Sequence, residues 1–428
     1  MLRETKIERE GPARRSRAIF FVFLAVVVAA LPALPELLAQ QEATPASQTP
    51  AAVRFGLGGN AASIPAEFIG NLVFLPVRIN DGKASLFQLD SFSNASSIDA
   101  ARAKALDLQI QQGTSNAPPG SAGVVRECVM NLPGVDVTTE SLSVVSKNDF
   151  AAQVGRVYEG TLGNDFFARF AIRIDYGRRT MEIFDPGSFH YSGPGTAFPM
   201  VFARGMPVIR AKFSTVTRKD IEADFVVNTA LDASVLILDR FAETHRLFSS
   251  HEKTLSALDP ELGLTKHVAF ERAKDFRIGS FNAEGTIIEF GQVDALADDA
   301  HLAGEIGGGM LRRFNVVFDY SHRTIILEPN ANFHRDDQED KSGIAVIAEG
   351  SGLKTFKVVQ VQTGTPGAVA GVRQGDVIAG IDDEAAADLT LADVRDLFRQ
   401  VGRIYKILIE RDGKTMQVTM QMRRLVGS

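Results

Sequence analysis

The sequence predicts a mainly β protein in which two similar lobes are followed by a smaller α+β domain. Short apolar runs of strand length, punctuated by Gly, Pro, Asn and Asp, fill the chain as far as about residue 330. Two stretches, around Asp90 and Asn228, resemble each other and are followed in the same order by a second matching pair. Beyond a charged segment at 333–341 the pattern changes to strand runs surrounding one amphipathic helix.

Length and composition set the frame. A chain of 428 residues, 45% hydrophobic and 23% charged, can bury more than one core. Its net charge of −6 provides no basic footprint, so nucleic acid is not an expected partner. The 7 histidines are scattered without a familiar ligand spacing, and no metal or other cofactor is expected.

Taken in chain order, Arg14, Arg15 and Arg17 precede an apolar stretch from Ala18 to Leu31, then Pro32, Pro35 and small or polar residues. That order predicts an export signal over 1–39, hence a periplasmic or secreted protein. The stretch is short against the roughly 20 residues of a membrane span, and a membrane contact is expected only if the segment stays uncleaved as a tether. Residues 40–65 read as a linker and N-terminal extension, because Gln40 to Pro50 is too polar to pack. Cys128, the single cysteine, cannot form an intramolecular disulfide and reads as a small buried hydrophobe.

The internal repeat carries the most information. Ser85-Leu-Phe-Gln-Leu-Asp90-Ser-Phe can be laid beside Glu222-Ala-Asp-Phe-Val-Val-Asn228-Thr-Ala, each an apolar strand entering a small-residue turn. Downstream, Leu162-Gly163 and Ile172 to Tyr176 match Ile306-Gly307 and Val316 to Tyr320. Asp90 and Asp175 are separated by 85 positions and Asn228 and Asp319 by 91, so order and spacing both repeat. Two lobes follow, over 66–195 and 196–332. Short helices are predicted at Ala100 to Leu108 and Leu238 to Leu247, and Asp175-Tyr176 and Asp319-Tyr320 are placed in hairpins.

This pattern resembles pepsin-like and retropepsin-like aspartic proteases, particularly bacterial proteins in which a PDZ domain follows two such lobes. The resemblance implies that each lobe presents an Asp-Thr/Ser-Gly triplet, supported by an apolar-apolar-Gly segment. Two carboxylates held together share one proton, so that one activates water while the other protonates or polarises the scissile amide. Here the first triplet reads Asp90-Ser91-Phe92, with a large aromatic in place of Gly, which is expected to disturb packing around Asp90. The second reads Asn228-Thr229-Ala230, and an amide cannot share the proton. Asp224 lies roughly 13 Å back along the strand and Asp232 beyond the turn, so both read as surface acids.

The tail resembles a PDZ domain over 342–428 through Thr365-Pro-Gly-Ala-Val-Ala-Gly371-Val-Arg-Gln-Gly375-Asp376-Val-Ile378. The resemblance implies capture of a peptide C-terminus, with Ser342, Gly343 and Ile344 as the carboxylate loop, Ile344 to Val346 as the receiving strand, and Val394, Leu397 and Phe398 on the opposite wall. The expected function is an exported aspartic-protease-like protein that binds extended polypeptide between its lobes, with proteolysis weak or lost. An active aspartic endopeptidase using Asp90 and a non-catalytic scaffold are the alternatives. Gly113 to Val125 is the candidate flap over the cleft.

Overall fold

Two hairpins turning through Asp-Tyr hold the middle of the molecule. In the computed structural model, which describes residues 52–112, 121–146, 148–247, 253–258 and 265–425, Ala171–Asp175 returns as Thr180–Phe184, and Phe314–Asp319 as Thr324–Pro329. Their first strands pair antiparallel across the lobes, Ile172 opposite Phe318 and Ile174 opposite Val316. Thr196–Pro199 and Ala61–Ile64 extend this to a six-stranded sheet shared by both lobes. The export signal and residues 113–120 of the candidate flap lie outside the described residues.

Not all of 40–65 behaves as an extension. Ala61–Ile64 pairs with Thr180–Phe184, and Val53–Phe55 pairs with the strand starting at Val135, so residues from 53 onward belong to the fold. Their apolar content is too sparse to announce this locally. Backbone pairing to distant strands decides it.

Each lobe is built on its own sheet, and the two repeat one construction. Ser85–Leu89 runs parallel to Gly160–Leu162, with Leu89 opposite Leu162. Ile221–Val227 runs parallel to Leu302–Ile306, with Val227 opposite Ile306. Such strands are covered on both faces, which is why successive residues, Gln88 and Leu89 in one and Val226 and Val227 in the other, are all buried. The predicted helices form as Ala100–Ala105 and Asp239–His245, the first capped by the Asp99 carboxylate, which accepts from the Ala101 and Arg102 N–H groups. Cys128 is buried in the core of the first lobe, and burial pushes its thiol pKa up.

The C-terminal domain forms the strands Ile344–Glu349, Thr355–Val361, Val377–Ile381, Ile404–Arg411 and Lys414–Gln421 around the helix Leu391–Phe398. A capping box of Thr390 and Asp393 starts that helix. Its core is separate from that of the lobes.

The charged segment before this domain departs from expectation. Asp337, Glu339 and Lys341 are buried, with Lys341 only 1% exposed. The Asp337 carboxylate accepts from Arg313 at 2.9 Å, Arg312 at 3.3 Å and the Ile287 N–H at 2.8 Å. Glu339 faces Arg272 at 3.3 Å and Lys341 at 3.6 Å. Residues 334–341, a run without apolar residues, can bury Asp337 and Glu339 because these charges find partners, and the arginines among those partners come from remote parts of lobe two. The segment is a packed strut rather than a solvated linker.

Removing the hub of that strut strands a fully buried guanidinium. Asp337→Ala is expected to destabilise the protein by about 3–5 kcal/mol, read from chemical denaturation.

Candidate active site

The two triplets meet at the junction of the lobes. The Ser91 N–H donates to Thr229 Oγ1 at 2.9 Å, and the Thr229 N–H donates to Ser91 Oγ at 3.0 Å. Each hydroxyl then donates across the junction, Ser91 Oγ to the Val227 carbonyl at 2.6 Å and Thr229 Oγ1 to the Leu89 carbonyl at 2.8 Å. The sequence-predicted residues Asp90, Ser91, Asn228 and Thr229 are thereby brought to one place.

Strand pairing positions the acid and the amide identically. The Asp90 N–H donates to the Leu162 carbonyl and the Asn228 N–H to the Ile306 carbonyl, both at 2.9 Å. The following glycines allow the close approach: a Cβ on Gly163 would stand 2.6 Å from the Ala95 backbone, and one on Gly307 2.3 Å from the Ala233 carbonyl oxygen.

Phe92 does not break the first triplet. Its N–H and that of Ser93 donate to Asp90 Oδ1 at 2.9 and 3.1 Å, the service expected of a Gly at that place. The residue needs no positive φ, so a side chain is tolerated. The ring packs against a lobe-two cluster that includes Met206, Val208 and Val226.

Asn228 is 1% exposed and both ends of its amide are engaged. Its Oδ1 accepts from the Ala230 N–H at 2.8 Å, and its Nδ2 donates to Glu305 Oε2 at 2.7 Å. Glu305 is itself buried and occupies the place before Ile306-Gly307 that an apolar residue was expected to fill. The sequence signal was there in the polar intrusion within Gly304-Glu305-Ile306-Gly307. Tyr320, assigned only to a hairpin, also reaches the site: its hydroxyl donates to Asn164 Oδ1 at 2.8 Å, and burial with the charge of Asp90 pushes its pKa up.

The neighbouring acids divide. Asp224 pairs with Arg210 on the surface, as expected. Asp232 is more than a surface acid: it accepts from the Asn71 N–H of lobe one at 2.7 Å and faces Arg399 of the C-terminal domain at 3.6 Å. Near it, the half-buried Glu289 has its pKa pushed up from 4.5 to about 8, by desolvation first and then by the charges of Asp232 and Asp337.

In the C-terminal domain, Ile344, Val346, Val394 and Phe398 are buried members of its own core. The Ser342 and Gly343 N–H groups both donate to Asp340 Oδ1 at 2.8 Å, and the Ile344 N–H donates to Ser342 Oγ at 3.1 Å. All three N–H groups of the expected carboxylate loop are therefore engaged within the chain. Ile344–Glu349 is an edge strand, and the lobe-one helix Asn148–Val154 packs against it. Arg395 Nη2 fastens the contact, donating to the Gln153 carbonyl at 2.7 Å and to the Val346 carbonyl at 3.4 Å.

Two surface hollows of about 460 and 360 Å³ lie away from these residues. The first is lined by Arg54, Asn131 and Asp136 among others, the second by Arg173, His190 and Tyr191 among others. Among the described residues no cluster of three or more His, Cys, Asp or Glu is placed to hold a metal, and no helix is long and apolar enough to cross a membrane.

Ser91→Ala and Thr229→Val are each expected to cost about 1–3 kcal/mol by leaving buried groups unpaired. The double variant should cost less than the sum, because both delete parts of one network; denaturation of the four proteins in a double-mutant cycle checks this. Glu289 gives a pH dependence. Its raised folded pKa means the folded state retains a proton that the unfolded state has released, so stability falls as pH rises from about 4.5 through about 8. Glu289→Gln should flatten that decline in thermal melts taken across the range.

Residues 357–411 match the family model for the PDZ domain. Among solved structures, the chain is similar to the aspartic proteinase from Irpex lacteus at 13% identity and a TM-score of 0.41, over 64% of this chain and 98% of that one. It is also similar to the photosystem II D1 C-terminal processing protease at 25% identity and a TM-score of 0.19, over 20% of this chain and 24% of that one. No curated protein matches. The chain is mainly β, built on sheets that repeat one construction in two lobes, and its C-terminal region is a PDZ domain.

Proposed function

We propose that this protein is an exported, aspartic-protease-like polypeptide-binding protein that takes extended chains between its lobes and hydrolyses them weakly or not at all. The observation that carries the reading is the amide of Asn228, buried at the junction beside Ser91 and Thr229 and held through both Oδ1 and Nδ2. An amide in that place cannot give or take the proton that a paired carboxylate would share. Loss of a general acid or base commonly lowers rate about 10²–10⁴-fold. The PDZ domain supplies a second polypeptide site.

A second reading, an active endopeptidase working through Asp90, draws support from Glu305, which keeps a carboxylate within hydrogen-bonding distance of Asn228. The two are separated by incubating the protein with a broad peptide mixture from acidic to neutral pH. Saturable binding with little turnover is the expected result. Robust cleavage that disappears in Asp90→Ala would establish the second reading instead, and no saturable binding at either domain would leave a scaffold.

A further inference from the structure

We propose that Glu305 is the second carboxylate of the inter-lobe site, relocated by one strand from the position that Asn228 occupies. The proposal rests on reading the junction as the candidate catalytic site. It deepens the second reading, hydrolysis through Asp90, by assigning the site's acid pair to Asp90 and Glu305.

The internal repeat carries the argument. Asp90 ends a strand that runs parallel to Gly160–Leu162, and Asn228 ends one that runs parallel to Leu302–Ile306. Because Asp90 N–H meets the Leu162 carbonyl as Asn228 N–H meets the Ile306 carbonyl, Thr161 and Glu305 are counterparts. Lobe one therefore has a carboxylate at the strand end and a hydroxyl on the neighbouring strand. Lobe two has an amide at the strand end and a carboxylate on the neighbour. Each lobe contributes one carboxylate.

The local chemistry fits an exchange rather than a loss. A buried carboxylate needs a donor, and an aspartate at 228 would set a like charge against Glu305. An amide at 228 supplies the N–H, and the 2.7 Å contact shows it doing so. Asn228 is then a positioning residue that holds Glu305, while Asp90 is held by the Phe92 and Ser93 N–H groups. Glu305 is opposite Leu236 on the adjoining strand, and Leu236 is opposite Glu289 in turn.

Whatever amide hydrolysis the site performs would use both acids. A water oxygen bonds to the carbonyl carbon as its proton passes to one carboxylate; the C–N bond then breaks as nitrogen takes a proton from the other carboxyl group. No further reactant is required.

The test is direct titration of the carboxyl groups by ¹³C NMR in the full chain, comparing wild type with Glu305→Gln and Asp90→Asn. The other titratable groups nearby are Tyr320, beside Asp90, and Glu289 and Asp232 on the lobe-two side. Two coupled carboxyls raise each other's titration, so Glu305→Gln is expected to lower the Asp90 midpoint by about one pH unit. Asp90→Asn should lower the Glu305 midpoint similarly, a second reading of the same coupling should the first variant fold poorly. Unchanged midpoints in folded variants would overturn the proposal and leave Glu305 as a structural partner of Asn228. Peptide binding and turnover are measured separately, so failure of the polypeptide-binding reading is distinguishable from failure of this assignment.

Discussion

Ser91 and Thr229 lock the two lobes together with four hydrogen bonds, and both residues are wholly inaccessible to solvent. Buried hydroxyls are costly unless satisfied, so each lobe depends on the other to complete its turn. The shared six-stranded sheet sets the lobes at the right separation, and the lock sets their register. What stands beside it, Asp90 on one side and Asn228 on the other, inherits its position from this constraint. The lock is made by Ser91, Thr229 and backbone groups, without the side chains of Asp90 and Asn228.

Much of this was legible in the sequence because it is written twice. The triplets, the apolar-Gly segments and the Asp-Tyr hairpins recur in order, and the structure places each pair symmetrically. The short helices after Ile98 and Leu236, and the PDZ strands and helix, follow from local periodicity and appear with boundaries shifted by a few residues. That position 228 holds an amide, which cannot titrate, was also visible, since residue type alone decides it.

What escaped the sequence depends on distant partners. Glu305 reads locally as a stray polar residue in a strand, and only the Asn228 amide gives it meaning. The segment around Asp337 reads as solvated because it has no apolar residue. Its burial depends on Arg272, Arg312 and Arg313, which no local window includes. Phe92 misled in the opposite sense: its bulk suggested disruption, yet the triplet needs its N–H, and the ring finds room in lobe two.

The seating of the Asn148–Val154 helix on the edge strand of the PDZ domain would make any peptide affinity of that domain a property of the whole molecule. A polypeptide adding to that edge would compete with the contact between Arg395 and the Gln153 carbonyl, and the free energy of displacing it would be subtracted from binding. Such a linkage would be reciprocal, so that releasing this contact in lobe one would strengthen binding at the edge by the same factor. The PDZ domain, which in isolation would report only its own specificity, would here carry a threshold set by a neighbour some two hundred residues earlier in the chain.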